Sequence, residues 1–379
     1  MQLPEPGADA IAASRALQAL VKDEILRHDG WISFSRFMEL ILYAPGLGYY
    51  SGGAVKLGKD GDFTTAPEIT PLFGQALAHV AADLMAQSSP RLLEFGAGSG
   101  RLARDLLTEL AGQGVPIEQY AILDLSGQLR ARQQEMLRDF SQVVWLDALP
   151  PTFSGVVLAN EVLDAMPVHL IVWDGQAWQE RGVTWEQDRL GYADRPASED
   201  LVQLAPETSA LPPGYLTEVH PAAQGFMRTL AALLAGGAGG AALLIDYGFP
   251  AAEYYLPQRR QGTVMCHYRH HAHADPFFWP GLQDVTTHLD FSALVRSALE
   301  GGADLLGYMD QASFLIGAGI GDLLLRTSPE DALRYLPQAN ALQRLLSPAE
   351  MGELFKVLAI GSKVELAPQL LLRDRSHRL

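Results

Sequence analysis

The stretch Leu92-Leu93-Glu94-Phe95-Gly96-Ala97-Gly98-Ser99-Gly100 sets an apolar run directly before three alternating glycines, and Arg101 opens a segment with Leu102, Leu106 and Leu110 at helical spacing. A buried strand, a glycine loop and a helix in that order form a cradle for a cofactor. Glycine takes positive φ and has no Cβ, so backbone N–H groups at the helix start can approach a ligand closely. The dinucleotide pattern Gly-x-Gly-x-x-Gly asks for a third glycine where this chain carries Arg101. Glu94 points the same way, because a carboxylate at the strand end repels a pyrophosphate and suits the methionine ammonium of S-adenosyl-L-methionine. Glu94, Gly96, Gly98 and Gly100 are therefore candidate contacts for S-adenosylmethionine, with a nicotinamide dinucleotide as the competing reading.

Outward from this loop, short apolar runs alternate with helical stripes. Strands are expected at Leu92 to Phe95, Tyr120 to Leu125, Val143 to Leu146 and Val156 to Ala159, and a second helix carries Leu129, Met136 and Leu137. Continuous Val, Ile and Leu runs suit strands covered by helices on both faces, which predicts a doubly wound, Rossmann-like α/β fold with a parallel sheet. Asp124 closes the second strand, where a carboxylate can accept both ribose hydroxyls, and Asp147 follows the third, where adenine-edge contacts arise in this architecture. Helix capping or a turn is the plainer use of either acid.

Two helical stretches, Ala10 to Leu26 and Phe34 to Leu42, predict an N-terminal helical layer. Tyr43 to Pro71 is rich in glycine and proline and reads as an ordered loop, in which Asp62 and Thr65 are candidate polar contacts to the cofactor. After Pro167 the alternation predicts an antiparallel meander turning at Asp174-Gly175, then an inserted loop from Asp194 to Gly214. A helix near Ala222 to Leu234, a strand Ala241 to Ile245, a loop Tyr254 to Pro280 and helices Phe291 to Leu299 and Gln311 to Leu325 complete the reading.

The balance of 28 Lys plus Arg against 44 Asp plus Glu gives a net charge of -16, which repels nucleic-acid phosphates and anionic lipid. A basic substrate suits that field, although acidity also serves solubility alone. The lone Cys266 allows no disulfide pair within the chain and no multi-cysteine zinc site, and points to a reducing compartment. The first thirty residues carry Glu5, Asp9, Asp23, Glu24 and Asp29 without an apolar core, and Leu230 to Ile245 is broken by glycines. No targeting segment and no membrane insertion are expected, hence a cytoplasmic protein. His267, His270, His271, His273, His288 and Asp290 near Cys266 match no zinc spacing; no metal is expected, and His270, His288 and Asp290 read as substrate-groove residues. No heptad array specifies an oligomer.

Several stretches together resemble the MidA family of Rossmann-like S-adenosylmethionine-dependent methyltransferases, which includes the mitochondrial complex I assembly arginine methyltransferase. They are Tyr43-Ala44-Pro45-Gly46-Leu47-Gly48-Tyr49-Tyr50, Gly61-Asp62-Phe63-Thr64-Thr65-Ala66-Pro67-Glu68-Ile69, Glu94 to Gly100, Asn160-Glu161-Val162-Leu163-Asp164-Ala165-Met166-Pro167-Val168, Asp246-Tyr247-Gly248, and Met351 to Leu358. Ala97 stands where members often have proline, and Asp124 where glutamate is common. The resemblance implies S-adenosylmethionine as cofactor and a protein acceptor, with symmetric dimethylation of an arginine on a complex I core subunit. It also marks Asp246 and Tyr247 as substrate contacts and Asn160 as a cofactor contact. The expected organisation is an N-terminal helical and loop region over 1–88 and a methyltransferase domain over 89–379, with insertions near 169–217 and 250–290.

A protonated arginine and a sulfonium repel each other, so their approach calls for carboxylates. Glu161 and Asp164 are the candidates, sharing a face if the backbone turns helical after Ala159. One carboxylate grips the guanidinium and the other accepts the proton; the competing reading is a helix capped by Asn160 with acidic first-turn residues. Methyl transfer to a small molecule or another protein group, and a non-catalytic assembly chaperone, are the alternative functions.

Overall fold

The computed structural model describes residues 3–52 and 64–379. The chain divides into two compact units, each assembled from separated segments. One holds Met1–Phe63, Leu163–Gly225 and Phe249–Asp290; the other holds Thr64–Val162, Phe226–Gly248 and Phe291–Leu379. The expected boundary at 88/89 does not coincide with this division. Helix Pro71–Ala86 lies in the sheet unit, and much of both expected insertions lies with the N-terminal helices.

In the sheet unit, parallel strands run in the spatial order Gly240–Phe249, Gly155–Asn160, Arg91–Phe95, Gln119–Leu123, Val143–Leu146. The first of these strands along the chain, Arg91–Phe95, is central. The chain builds outward from it on one side and then crosses to Gly155–Asn160 on the other. That reversal is a topological switch point, where the loops leaving two neighbouring strands diverge and open a crevice at their carboxyl ends. Beyond Gly240–Phe249 the next strand, Phe355–Ser362, is antiparallel and pairs in turn with Asp304–Asp310. A dinucleotide-binding sheet would continue in parallel there.

The helices of this unit carry apolar stripes onto the sheet. Leu102, Leu106 and Leu110 of Arg101–Gly112 pack in one buried cluster with Phe73 and Leu77 of Pro71–Ala86, Tyr120, Leu243 and Phe314. Full burial of each such leucine contributes roughly 1.5–3 kcal/mol. The two helices approach closely at Gly74, where an added Cβ would stand 2.9 Å from Asp105 Cβ.

Two prolines read as loop signals instead start helices. Ala66–Ile69 carries Pro67 in its first turn, and Pro71–Ala86 begins on proline with Thr70 Oγ1 accepting from Leu72 N–H at 3.3 Å. Proline is tolerated there because the first N–H groups of a helix have no intrahelical acceptor. The helix expected over Gln311 to Leu325 is two, Gln311–Gly317 and Ile320–Leu325, broken at Gly319 with φ +81°.

In the other unit the expected meander forms. His169–Trp173 pairs with Trp178–Glu186, and Asp174 accepts the N–H groups of Gln176 and Ala177 to close the turn. Trp31–Ser33 and Arg189–Pro196 flank Trp178–Glu186, and Tyr215–Val219 flanks His169–Trp173. The stretch expected as an inserted loop holds the end of Arg189–Pro196 and the helix Glu199–Leu204, capped by Ser198. A smaller sheet joins His271–His273, Met265–Tyr268 and Asp284–Thr286. Helices Ala8–Arg27 and Phe34–Tyr43 supply Leu17, Phe37 and Met38 to a core shared with Val183, Cys266 and Val285.

Candidate active site

At the carboxyl end of Arg91–Phe95 the glycine loop takes the form its composition predicts. Gly96, Gly98 and Gly100 have φ of +59°, +54° and +84°, and Gly100 caps helix Arg101–Gly112. Side chains distant in sequence brace the loop. Glu68 accepts from Ser99 Oγ and pairs with Arg101 at 3.3 Å. Gln133, fully buried, donates from Nε2 to Gly98 O at 3.0 Å and to Asp124 Oδ2 at 2.7 Å, while its Oε1 accepts from Trp145 Nε1. The second oxygen of Asp124 accepts from Ser126 N–H at 2.8 Å, so the carboxylate is fixed. Neither Glu68 nor Gln133 stands out in sequence, because a bracing polar residue on a helix carries no periodic signature.

Glu94 is buried beneath the loop, and Tyr120 Oη donates to it at 2.7 Å. Burial pushes its carboxyl up to about 8, against the pull of the Tyr120 hydrogen bond, and the nearby Asp124 carboxylate adds to the rise.

Across the switch point, Glu161 follows Gly155–Asn160 with φ +54°, a left-handed conformation unusual outside glycine and asparagine. Its N–H donates to Ile245 O at 2.9 Å, and its Oε1 accepts from Asn160 Nδ2 at 3.1 Å. Val162 lies against the glycine loop; a Cβ on Gly96 would come 3.2 Å from Val162 Cγ2. The helical turn that would have put Glu161 and Asp164 on one face does not form. The Glu161 N–H continues the ladder of the sheet, Met166 closes only a short turn onto Leu163 O, and Pro167 cannot extend a helix. Asn160 accordingly caps no helix, and its buried Oδ1 has no hydrogen-bond partner among the described residues. Asp164, 5% exposed, belongs to the other unit, where its carbonyl accepts from Thr287 N–H at 3.0 Å.

The remaining sequence candidates are dispersed. Asp147 is exposed and paired with Arg130. Thr65 precedes Ala66–Ile69 without a side-chain capping bond, and Asp62 lies outside the described residues. Asp246, 1% exposed, accepts from Tyr247 N–H at 2.9 Å, and the Tyr247 ring meets Phe355 edge-on. His270 is exposed at a hairpin turn with φ +63°. His288 accepts through its carbonyl from His220 Nε2 at 3.0 Å, and Asp290 accepts from Tyr255 Oη at 3.1 Å. Among the described residues, no group of three or more His, Cys, Asp or Glu could hold a metal ion, and no helix is long and apolar enough to cross a membrane.

A model of the family described as "Putative S-adenosyl-L-methionine-dependent methyltransferase" matches residues 72–309, from helix Pro71–Ala86 through most of strand Asp304–Asp310. The chain belongs to this MidA-like methyltransferase family. The methyltransferase is also similar to "Protein arginine methyltransferase NDUFAF7, mitochondrial" of Mus musculus, 28% identical with 88% of this chain and 82% of that protein covered. The Drosophila melanogaster homologue of the same name is 29% identical, covering 94% and 87%. A Burkholderia thailandensis protein solved bound to S-adenosyl-homocysteine is 52% identical over the whole of both chains, with a TM-score of 0.94.

S-Adenosylmethionine is the cofactor of this family, and three features of the methyltransferase fit it. The positive-φ glycines open the loop to a ligand, the buried Asn160 Oδ1 lacks a donor among the described residues, and Glu94 lies where a nearby cation would recharge its carboxyl. Glu94, Gly96, Gly98, Asp124 and Asn160 are the residues that would hold it.

Proposed function

We propose that this methyltransferase modifies arginine side chains of a protein, with symmetric dimethylation of a respiratory complex I subunit as the specific acceptor reaction. The observation that carries the reading is Glu161, a carboxylate held in a left-handed backbone at the crevice of the sheet, beside the glycine loop. Such a conformation costs about 1 kcal/mol or more, and strain of this kind persists where function requires it. The two relatives named above are both called protein arginine methyltransferases, which supports the same acceptor.

The cofactor supplies a methyl group activated on a sulfonium, so no covalent enzyme nucleophile is needed. The protein's task is alignment and charge compensation. Glu161, steadied by Asn160, accepts the proton that the guanidinium loses as its nitrogen attacks. Glu94 carries the charge that faces the methionine ammonium.

The test is transfer of labelled methyl from S-adenosylmethionine to the separated subunits of the host's complex I, with the modified residue mapped by fragmentation mass spectrometry. Arginine carrying one methyl group on each terminal nitrogen is the expected product. Label on another residue type, or on a small molecule only, defeats the arginine reading. Cofactor binding without transfer to any subunit would favour a non-catalytic assembly role.

A further inference from the structure

We propose that Asp284, Thr286 and the stacked rings of Tyr43 and Tyr50 form a subsite that recognises the guanidinium group of the acceptor protein. This inference rests on the arginine reading above and adds to it the side chains that select the group. All four residues belong to the unit that carries the N-terminal helices.

Tyr43 and Tyr50 lie with ring centroids 5.5 Å apart and planes inclined by 21°, and both are only partly buried. Tyr43 is fixed by its Oη, which donates to Ala165 O at 2.9 Å, and Tyr50 by its Oη, which donates to Asp284 Oδ1 at 2.9 Å. Asp284 is 3% exposed and opens the strand Asp284–Thr286. Alternation along that strand turns Val285 into the apolar core with Leu17, Phe37 and Cys266, and places Asp284 and Thr286 together on the opposite face.

Thr286 makes the case for a ligand. It is 2% exposed, and its Oγ1 meets no hydrogen-bond partner among the described residues. A buried hydroxyl without a partner is costly, and one on the same face as a buried carboxylate can be satisfied by a donor that also carries positive charge. Burial pushes the Tyr50 phenol well above its ordinary range, and the carboxylates of Asp284 and Asp164 both add to the rise. Two carboxyl groups thus bear on the same ring.

A flat aromatic face, a carboxylate and a hydroxyl acceptor match the guanidinium group, which is planar, stacks on aromatic rings and presents several donors in a fixed fork. A lysine ammonium uses the charge but not the plane. A neutral urea, as in citrulline, uses the plane but not the charge.

The experiment is calorimetric titration of the full chain with N-acetyl-arginine amide, N-acetyl-lysine amide and N-acetyl-citrulline amide. The arginine probe is expected to bind about tenfold or more tightly than the citrulline probe, an effect of charge-assisted bonding. Asp284→Asn is expected to erase that preference and Thr286→Val to weaken the arginine probe about threefold, each with S-adenosylmethionine affinity within about twofold of the parent. A general loss of structure would lower cofactor affinity as well, whereas loss of a subsite changes the ratio between probes. Undetectable arginine binding, equal binding of arginine and citrulline, or a preference that survives Asp284→Asn overturns the proposal. An Asp284-dependent preference found with methyl transfer to another residue type keeps the subsite and sinks the arginine reaction; arginine methylation without that preference does the reverse.

Discussion

The glycine-loop stretch of the sheet unit and the unit of N-terminal helices differ in how far along the chain their contacts reach. In the first, the glycine loop, its helix and the strands on either side arise from one stretch, Arg91 to Asn160, in which each element follows the last. In the second, Trp31 pairs with Thr184, Ser14 donates to Pro280 O, and Tyr50 donates to Asp284, 234 residues away. The contiguous stretch carries the glycine loop common to a whole family of methyltransferases. The discontinuous one gathers side chains that have no relation until the chain is folded, which is where we place selection of the acceptor. Substitutions in the two units should therefore fail in different ways: turnover and cofactor affinity in one, acceptor preference in the other.

The largest effect should come from Glu161. Glu161→Gln keeps the shape and removes the proposed base, so turnover at saturating acceptor is expected to fall about 10²–10⁴-fold while S-adenosylmethionine affinity is unchanged. Rapid-quench measurement of a single turnover reads this directly; a loss below about twofold would remove Glu161 from the chemistry. Glu161→Gly sharpens the point, because glycine accepts φ +54° without strain. Turnover should be lost as in the glutamine variant, with about 1 kcal/mol of backbone strain relieved.

Gly96→Val tests the same crevice from the other side. At φ +59° a β-branched residue is strained, and its Cβ would press on Val162 Cγ2 at 3.2 Å. Stability should fall by about 1–3 kcal/mol, and cofactor affinity by more than about tenfold, with the arginine-over-citrulline preference intact. Loss of both functions together would mean that the division of labour is wrong.

Glu94 gives a pH signature. Its carboxyl is held near 8 in the folded protein by burial, against an ordinary value of 4.5. The folded state therefore keeps a proton that the unfolded state releases, and the stability this confers is full below about 4.5 and lost as pH rises through about 8. Chemical denaturation of the cofactor-free protein should show stability falling between those values by at most about 1.4 kcal/mol per pH unit, a slope that Glu94→Gln flattens. Saturating S-adenosylmethionine should weaken the slope, since a cation near Glu94 favours its charged form. A slope that Glu94→Gln leaves unchanged would show that Glu94 is ionised in the free protein.

What the sequence revealed follows reach along the chain rather than the division into units. The parallel strands were legible because continuous apolar runs such as Val156 to Ala159 have one use in a protein of this kind, and the glycine loop because positive φ has a residue signature. Pro67 and Pro71 misled, since the same residue ends a helix or begins one according to which neighbours cap it. Strands Asp304–Asp310 and Phe355–Ser362 went unread: their place depends on antiparallel pairing with distant partners. Glu161 and Asp164 stand out as carboxylates after a strand, but the left-handed turn at Glu161 does not, because nothing in Asn160-Glu161-Val162 marks it. Gln133, Glu68, Tyr50 and Asp284 acquire meaning only through partners brought from elsewhere in the chain.

The smallest effect expected lies within the sheet unit but away from the glycine loop. Glu109, on helix Arg101–Gly112, is 8% exposed, and burial alone would raise its carboxyl. Hydrogen bonds from Arg326, Gln113 and His79 outweigh burial and hold it at about 2. Arg326 is about half exposed, so water screens the pair and limits its worth to about 0.5–1 kcal/mol. For an acid held below its ordinary 4.5, the contribution is present above that value and disappears as pH falls through about 2. Arg326→Met should therefore destabilise the protein by about that amount at neutral pH and by nearly nothing at pH values approaching 2, as measured by urea denaturation. Turnover, cofactor affinity and acceptor preference should all be unchanged. If Arg326→Met instead lowers cofactor affinity while stability holds, helix Arg101–Gly112 transmits its C-terminal contacts to the glycine loop at its other end, and the sheet unit is less divisible than its separate segments suggest.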